Sequence, residues 1–224
     1  MEKIKFLLKG LLSTILFSAI LFVCAGRINY LQGWVYFSTT IIATMMNFFS
    51  IRNNIELIIE RSKPGQGTKS WDKLLLGISA IVFIVIIVIA GLDSGRFYWS
   101  IHLHWSIIVI GSVLSVSGQI IFIIARSQNK FFSTVVRIQN EKGHSVCKTG
   151  LYKIIRHPGY LGMTISLIAI PLITASLWSF IPVIIAIMLL LIRTSLEDKT
   201  LKNELEGYMQ YTRETLYKLI PLIW

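Results

Sequence analysis

The sequence predicts an all-α, polytopic integral membrane helix bundle. Of its 224 residues, 54% are hydrophobic and only 15% are charged, and the mean hydropathy is +0.67. Soluble domains carry roughly 45–50% apolar and about 25% charged residues. Apolar runs recur along the chain, and a spanning helix needs about 20 largely apolar residues, so we expect about six membrane segments. The composition therefore excludes an ordinary soluble domain.

The apolar segments are predicted in chain order, and four separate runs come first. They are residues 4–25, 34–51, 74–92 and 101–125. The stretch 159–192 then holds no charged residue. It is too long for one helix and short for two complete ones. Pro171 lies in its middle and is followed closely by Ile173-Thr-Ala-Ser176, so we expect a turn there between two short or tilted helices, with the last two segments forming a short helical hairpin.

The Lys and Arg residues predict the orientation, because short cytoplasmic loops carry an excess of them. With six segments and a cytoplasmic N-terminus, all 22 of these residues except Arg27 and Arg96 lie on the cytoplasmic side. We therefore expect both termini in the cytoplasm. The net charge of +11 should attract anionic lipid headgroups. The loop at residues 61–69 lacks the spacing of a phosphate cradle and is expected to be a flexible cytoplasmic connection.

Two classes of ligand are not expected. The basic residues are divided among several short loops without an aromatic–basic module, which argues against a nucleic-acid partner. Cys24 and Cys147 are expected on opposite sides of the membrane, and two cysteines provide neither a disulfide nor a zinc framework. No metal is expected, and membrane lipids are the expected surroundings.

The stretch TGLYKIIRHPGYLG, residues 149–162, carries the most specific polar pattern in the chain. Pro158 suits the first turn of a helix, where its missing N–H would have no partner. The free N–H groups of that turn can receive a carboxylate. His157 and Tyr160 can add hydrogen bonds, and Gly159 permits close approach. A helix start at the membrane interface would explain the His-Pro pair alone, but the whole string favours a binding site.

Arg193 and Glu197 stand four residues apart, so they share one helix face. An exposed ion pair at this spacing contributes only about 0.3–0.5 kcal/mol. A functional interpretation separates the two: Glu197 receives a cationic or hydroxyl group of a cofactor, and Arg193 grips a carboxylate in a two-pronged geometry that Lys cannot copy. Asp198, Lys199 and Lys202 are expected on a solvated face.

Several motifs from residue 131 to residue 224 together resemble the isoprenylcysteine carboxyl methyltransferase family. These motifs are Gln139-Asn-Glu-Lys142, His144-Ser-Val-Cys147, Gly150-Leu-Tyr152, Arg156-His-Pro-Gly-Tyr160, Arg193 with Glu197, Gly207-Tyr-x-x-Tyr211 and Leu219-Ile-Pro221. The first four helices match only in being membrane helices. The resemblance implies one structural unit, with scaffold helices in residues 1–126 and the cofactor-binding and catalytic region in residues 127–224.

The resemblance also implies an activity, which is carboxyl O-methylation of an isoprenylcysteine-like or other lipophilic carboxylate. The implied cofactor is S-adenosylmethionine, and Arg193 is the implied catalytic, substrate-binding residue. The implied cofactor-binding residues are Gln139, His144, Ser145, Val146, Cys147, Tyr152, His157, Pro158, Gly159, Tyr160 and Glu197. The substrate would be a lipophilic small molecule or a prenylated chain. The active site would face the cytoplasm from a cell membrane in a bacterium, or from the endoplasmic reticulum in a eukaryote.

Three other functions remain open at this point. A phospholipid amine N-methyltransferase has a similar arrangement, although an amine acceptor has less use for Arg193. NADPH-dependent sterol-type reductases have a related string that typically reads Arg-His-Pro-Asn-Tyr-x-Gly-Glu. Here Gly159 and Met163 occupy the Asn and Glu positions, which argues against reduction. The third alternative is a non-catalytic membrane scaffold that retains the fold.

Overall fold

The computed structural model describes residues 1–62 and 66–224 of the chain. Its α-helices are α1 (Glu2–Ala25), α2 (Leu31–Ile51), α3 (Ile55–Ser62), α4 (Ser70–Ala90), α5 (Trp105–Gln128), α6 (Pro158–Thr174), α7 (Phe180–Glu204) and α8 (Tyr208–Glu214). A π-helical segment, Gly91–Phe97, extends α4. Short 3-10 segments lie at Asn140–Lys142 and Gly150–Lys153. The connection predicted at residues 61–69 falls partly on residues 63–65, which lie outside the described residues.

The predicted helical membrane bundle is confirmed. Within the described ranges, five helices are long and apolar enough to cross a membrane: α1, α2, α4 with its π-helical extension, α5 and α7. Helix α6 is apolar but shorter. The same ranges contain no β-strand. The main core lies among α1, α2, α4, α6 and α7, where Leu21, Ile87 and Ile173 are almost completely buried.

The turn of the final hairpin lies within the stretch Ile173–Ser176 that was predicted for it, whereas the second helix is longer than predicted. Pro171 lies inside α6, and the chain turns only after Thr174, where Ala175 adopts a left-handed conformation with φ 52°. The helix ends there because the N–H of Ser176 donates to the carbonyl of Pro171 at 3.0 Å. Helix α7 has 25 residues and continues well beyond the apolar stretch, because its charged end is buried against the segment before α6 and against α8.

Asp93, in the π-helical extension of α4, holds the turn of this hairpin through hydrogen bonds. Its side chain is completely buried and accepts hydrogen bonds from the N–H of Ser100 at 2.7 Å and the hydroxyl of Ser176 at 2.6 Å. The hydroxyl of Ser100 also donates to Asp93 at 2.6 Å. A buried carboxylate is tolerated when its lone pairs are satisfied in this way. The hairpin is therefore held at the end of the bundle opposite the start of α6.

At the other end of the bundle, Glu60 anchors the long loop between α5 and α6. Its carboxylate accepts hydrogen bonds from Arg137 at 2.7 Å, Lys142 at 2.7 Å and Ser133 at 3.0 Å. Burial opposes ionisation, but the hydrogen bonds from these three residues outweigh it and lower the pKa of Glu60 to about 2. The loop is therefore tied to α3 by an ionised carboxylate.

Helices α5 and α6 pack closely through glycines. A Cβ added at Gly118 would lie 2.6 Å from the carbonyl oxygen of Gly162, and one added at Gly162 would lie 2.5 Å from the carbonyl oxygen of Gly118. Neither backbone can shift without separating the helices. Small residues at such a contact let membrane helices approach closely. This contact fixes the start of α6 beside the end of α5.

The variant Gly118→Ala should lower the thermal unfolding midpoint of the detergent-solubilised protein, because its Cβ meets backbone that cannot yield. Overpacking of this kind costs typically about 1–3 kcal/mol. The matched control is Gly77→Ala on α4, where an added Cβ would meet nothing within 4 Å. This control should unfold at or above the wild-type temperature, since Ala is the better helix former. Equal midpoints for the two variants would contradict the packing argument.

Candidate active site

Two cavities adjoin at the end of the bundle where α6 begins. The larger measures about 560 Å³ and is lined mainly by apolar side chains of α2, α4, α5, α6 and α7. The smaller measures about 100 Å³ and lies between the long loop, the start of α6 and α7. Phe132, Ser133, Tyr160 and Arg193 line both cavities. A polar space and a lipid-sized apolar space therefore share one wall.

The start of α6 forms one side of the smaller cavity. The N–H groups of Arg156 and His157 donate to the carbonyls of Tyr217 and Lys218 at 3.0 and 2.9 Å, which fixes the chain entering the helix. Among the described residues, no side chain caps this helix end. A Cβ at Gly159 would lie 2.8 Å from the ring of Phe132, so the close approach predicted for this glycine is present.

Tyr160 stands at the junction between the two cavities. Its ring stacks on the imidazole of His157, with centroids 5.8 Å apart, and the guanidinium of Arg193 lies 5.4 Å from the ring centroid. Its hydroxyl donates a hydrogen bond to the carboxylate of Glu197. Within the described chain, Glu197 is therefore bonded to Tyr160, and the simple ion pair between Arg193 and Glu197 is not formed.

Arg193 is paired with Asp72 of α4, a residue that the sequence did not single out. The Nε of Arg193 donates to Oδ1 of Asp72 at 2.7 Å, and its Nη2 donates to Oδ2 at 3.3 Å and to the carbonyl of Thr134 at 2.9 Å. Asp72 is completely buried and also accepts from the N–H of Val136 at 2.8 Å. The two-pronged geometry expected for a substrate carboxylate is thus made with Asp72. The Nη1 edge is left for a ligand.

Asp198 was expected on a solvated face, and this expectation is wrong. Its side chain is 2% exposed and accepts hydrogen bonds from Arg156 Nε at 2.8 Å and from the hydroxyl of Tyr208 at 3.0 Å. His157 Nε2 lies 3.4 Å away, and Lys202 Nζ lies 3.0 Å away. The carboxylate is buried because α7 continues beneath the segment that precedes α6. In the sequence, the i, i+4 spacing of Asp198 and Lys202 resembled an exposed ion pair, and it did not indicate the partners on other segments.

His144 lies on the loop side of the smaller cavity. The backbone N–H of Gln139 donates to its Nδ1 at 3.2 Å, so the neutral imidazole carries its proton on Nε2. Burial, assisted by the charge of Arg137, lowers the pKa of His144 to about 4. The Oε1 of Gln139 is buried without a partner among the described residues, while its Nε2 donates to the carbonyl of Phe131 at 2.7 Å.

The structure brings together some of the predicted site residues and separates others. Those that line the smaller cavity are His144, Tyr152, His157, Gly159, Tyr160, Arg193 and Glu197. Gln139 lies behind Phe131 and His144, and Pro158 is buried within the helix start. Ser145 is exposed, Val146 packs against the cluster around Tyr208, and the thiol of Cys147 donates to the carbonyl of Gln128 at 3.3 Å. These last residues shape the loop.

Several residues of the smaller cavity were missed by sequence reasoning. They are Asn129, Phe131, Phe132, Ser133, Val135, Val136, Arg137, Arg156 and Leu201. Arg156 stands within the TGLYKIIRHPGYLG string, so its position was available as a signal. The loop before Gln139 shows no periodicity, and its contribution to the cavity follows only from its anchorage to Glu60 and Asp72.

The fold and the site define an integral membrane protein whose polar pocket opens onto a lipid-sized cavity. Residues 109–203 match the isoprenylcysteine carboxyl methyltransferase family. The match begins within α5, earlier than expected, and ends near the end of α7. It includes the motifs from Gln139 to Glu197 that carried the resemblance.

Two relatives from rice support the same assignment. Proteins of Oryza sativa subsp. indica and Oryza sativa subsp. japonica, each described as "Probable protein-S-isoprenylcysteine O-methyltransferase", are 22% identical to this chain over 135 residues. The aligned region covers 60% of this chain and 66% of each relative, slightly less than two thirds of their length. The family and these names support a methyltransferase.

The titration of His144 gives a testable pH dependence. The pKa of His144 is lowered from the ordinary 6.5 to about 4. Between these two pH values, His144 is therefore protonated in the unfolded chain and neutral in the folded chain. Its contribution to stability is therefore complete above pH 6.5 and is lost as the pH falls through 4. His144→Gln keeps an acceptor for the N–H of Gln139 but does not titrate.

We expect the thermal unfolding midpoint of the wild type to fall more steeply than that of His144→Gln as the pH is lowered across this interval. The control is His102→Gln, which alters an exposed histidine in the loop before α5. This variant should keep the wild-type slope. Parallel profiles for the wild type and His144→Gln would show that His144 is protonated as easily in the folded chain as in the unfolded one.

Proposed function

We propose that this protein is an integral membrane, S-adenosylmethionine-dependent methyltransferase that methylates the carboxylate of a lipophilic acceptor. The acceptor would be isoprenylcysteine-like or another lipid acid. The observation that carries the proposal is the junction of the two cavities at Tyr160 and Arg193. A water-soluble methyl donor and a greasy acceptor must meet at one point, and this wall is where a polar pocket adjoins an apolar one.

The described residues around the smaller cavity fit the cofactor. The uncapped start of α6 suits its carboxylate, as helix N-termini suit anions generally. Glu197, which lines this cavity, suits its ammonium or ribose hydroxyl groups. Ligand pockets usually measure roughly 300–1,000 Å³. The cavity of about 100 Å³ is smaller, so the side chains that line it would have to rearrange when the cofactor binds.

The residues of the chain then need only to position the reacting groups and exclude water. The bound cofactor would supply a methyl group on a sulfonium. The acceptor carboxylate is ionised at neutral pH, so no general base is required. The reacting atoms need in-line approach at about 3–3.5 Å and exclusion of water. The ring of Tyr160 is placed to stabilise a cation at the junction, and Phe132 helps to close the wall.

Arg193 would position the acceptor, and Asp72 would position Arg193. The pair with Asp72 fixes the plane of the guanidinium, which leaves the Nη1 edge to contact the acceptor carboxylate. The larger cavity of about 560 Å³ would take the acyl or prenyl tail along Phe83, Leu167 and Ile170. The basic loops at this end of the bundle support a cytoplasmic active site.

Cofactor binding by the polar pocket is tested directly with radiolabelled S-adenosylmethionine and detergent-solubilised protein. His157→Ala and Glu197→Gln should each weaken binding about tenfold or more, because each removes a hydrogen bond that involves a charged or buried group. Glu204→Gln is the matched control, since Glu204 lies on the same helix and bonds to Lys69 at the surface. Binding of labelled NADPH in place of the methyl donor would overturn the proposal.

The role of Arg193 needs a variant that leaves Asp72 with a neutral neighbour. Arg193→Ala alone would strand a buried carboxylate, at a cost of about 3–5 kcal/mol. The double variant Asp72→Asn/Arg193→Gln removes both charges together. We expect it to bind the labelled cofactor as the wild type does and to lose transfer of labelled methyl to a prenylcysteine analogue. Full methyl transfer by this variant would refute the carboxylate role of Arg193.

A further inference from the structure

Arg61 lies at the cytoplasmic end of the larger cavity and was assigned no role from the sequence. It belongs to α3, lines the cavity, and its guanidinium lies 5.6 Å from the ring centroids of both Phe122 and Phe132. Its Nε is buried, and among the described residues the guanidinium has no ion-pair or hydrogen-bond partner. The residues outside that description, 63–65, are Lys-Pro-Gly and contain no acidic side chain.

Gln119 supplies a second unpartnered donor in the same cavity. Its Nε2 is buried without a hydrogen-bond partner in the described part of the chain, and its side chain lines the cavity from α5. Gln119 stands one helical turn before Phe122, and Arg61, Gln119 and Phe122 line the same cavity. An unsatisfied buried donor costs about 1–3 kcal/mol, and native proteins rarely leave one without a reason.

The acidic side chain next to Arg61 in the sequence already has ion-pair partners. Glu60, the neighbour of Arg61 in the chain, is held by Arg137 and Lys142. Arg126 contributes a second positive charge, since its guanidinium lies 5.7 Å from the Phe122 ring and is bonded to the neutral side chains of Asn47 and Ser50. Burial lowers the pKa of Arg61 to about 10, so it remains cationic at neutral pH.

We propose that Arg61 and Gln119 form an anion-binding subsite, so that the larger cavity selects a single-chain lipid with an anionic headgroup. The headgroup chemistry that fits a guanidinium beside an amide N–H is a carboxylate or a phosphate. Arg193 alone does not balance the charge of such a headgroup, because Asp72 already neutralises the charge of Arg193. Arg61 is thus the specificity-determining cation, and Arg193 sets the direction of the headgroup.

The statement that the bound lipid is the methyl acceptor rests on the proposed function, but the selection of the lipid does not. Binding itself is independent of the cofactor, so the test uses the detergent-solubilised protein without a methyl donor. The probes are dodecanoate, dodecyl phosphate and the neutral dodecanol, and their binding is measured from the ligand-dependent rise in unfolding temperature. The two anionic probes distinguish a carboxylate subsite from a phosphate subsite.

We expect the wild type to bind at least one anionic probe more tightly than dodecanol. Arg61→Gln should reduce that preference about tenfold, the value of one charge-assisted hydrogen bond, and should leave dodecanol binding unchanged. Gln119→Leu should reduce the preference to a lesser extent, and it serves if Arg61→Gln does not fold. The matched control is Arg52→Gln, which removes an exposed arginine that lies over the ring of Phe49.

Equal binding of dodecanol and both anions by the wild type would overturn the proposal. So would an unchanged anion preference in Arg61→Gln, or a loss of preference of equal size in Arg52→Gln. Failure of the proposed methyltransferase function would be seen elsewhere, as an absence of labelled cofactor binding. The two outcomes are therefore distinguishable.

Discussion

The buried carboxylate of Asp198 is the interaction on which the polar cavity depends. It joins α7 to Arg156, to His157 and to Tyr208 of α8. The guanidinium of Arg156 also donates to the carbonyls of Thr215 and Leu216, both at 2.7 Å, so the C-terminal segment is included in the same network. Removing one partner from a buried charge network costs about 3–5 kcal/mol. The orientation of His157, and hence of the ring stacked on it, follows from this network.

Helix α7 carries this role because its charged end stays within the protein. Arg193, Glu197 and Asp198 each have a different partner: α4 through Asp72, α6 through Tyr160, and the segment preceding α6 through Arg156. Because these three charged side chains all have partners within the protein, α7 can continue beyond its apolar residues. The helix therefore extends past the apolar stretch and places Arg193 over the ring of Tyr160 and Glu197 at its hydroxyl.

The sequence was informative where the physics is local. Apolar runs of spanning length predicted the helices, and the Arg-His-Pro-Gly-Tyr string predicted the start of α6 and a close approach at Gly159. It failed where partners are distant. Asp72 and Arg193 are 121 residues apart, and their contact exists only because α4 packs on α7. The stretch after Pro171 indicated the hairpin turn, but it did not show that α6 continues through Pro171 and ends at the left-handed Ala175.

The two cavities differ in the sign of the charge that they leave unbalanced, and this difference gives the proposed reaction its direction. On the polar side, Glu197 is bonded to a neutral hydroxyl and retains its charge for a cationic ligand. On the apolar side, Arg61 faces aromatic rings and retains its charge for an anionic ligand. Opposite charges attract strongly where water is scarce. In the proposed reaction, methyl transfer from a sulfonium to a carboxylate would neutralise both reacting groups, so the acceptor would lose its attraction to Arg61. The ester would then partition into the lipid phase.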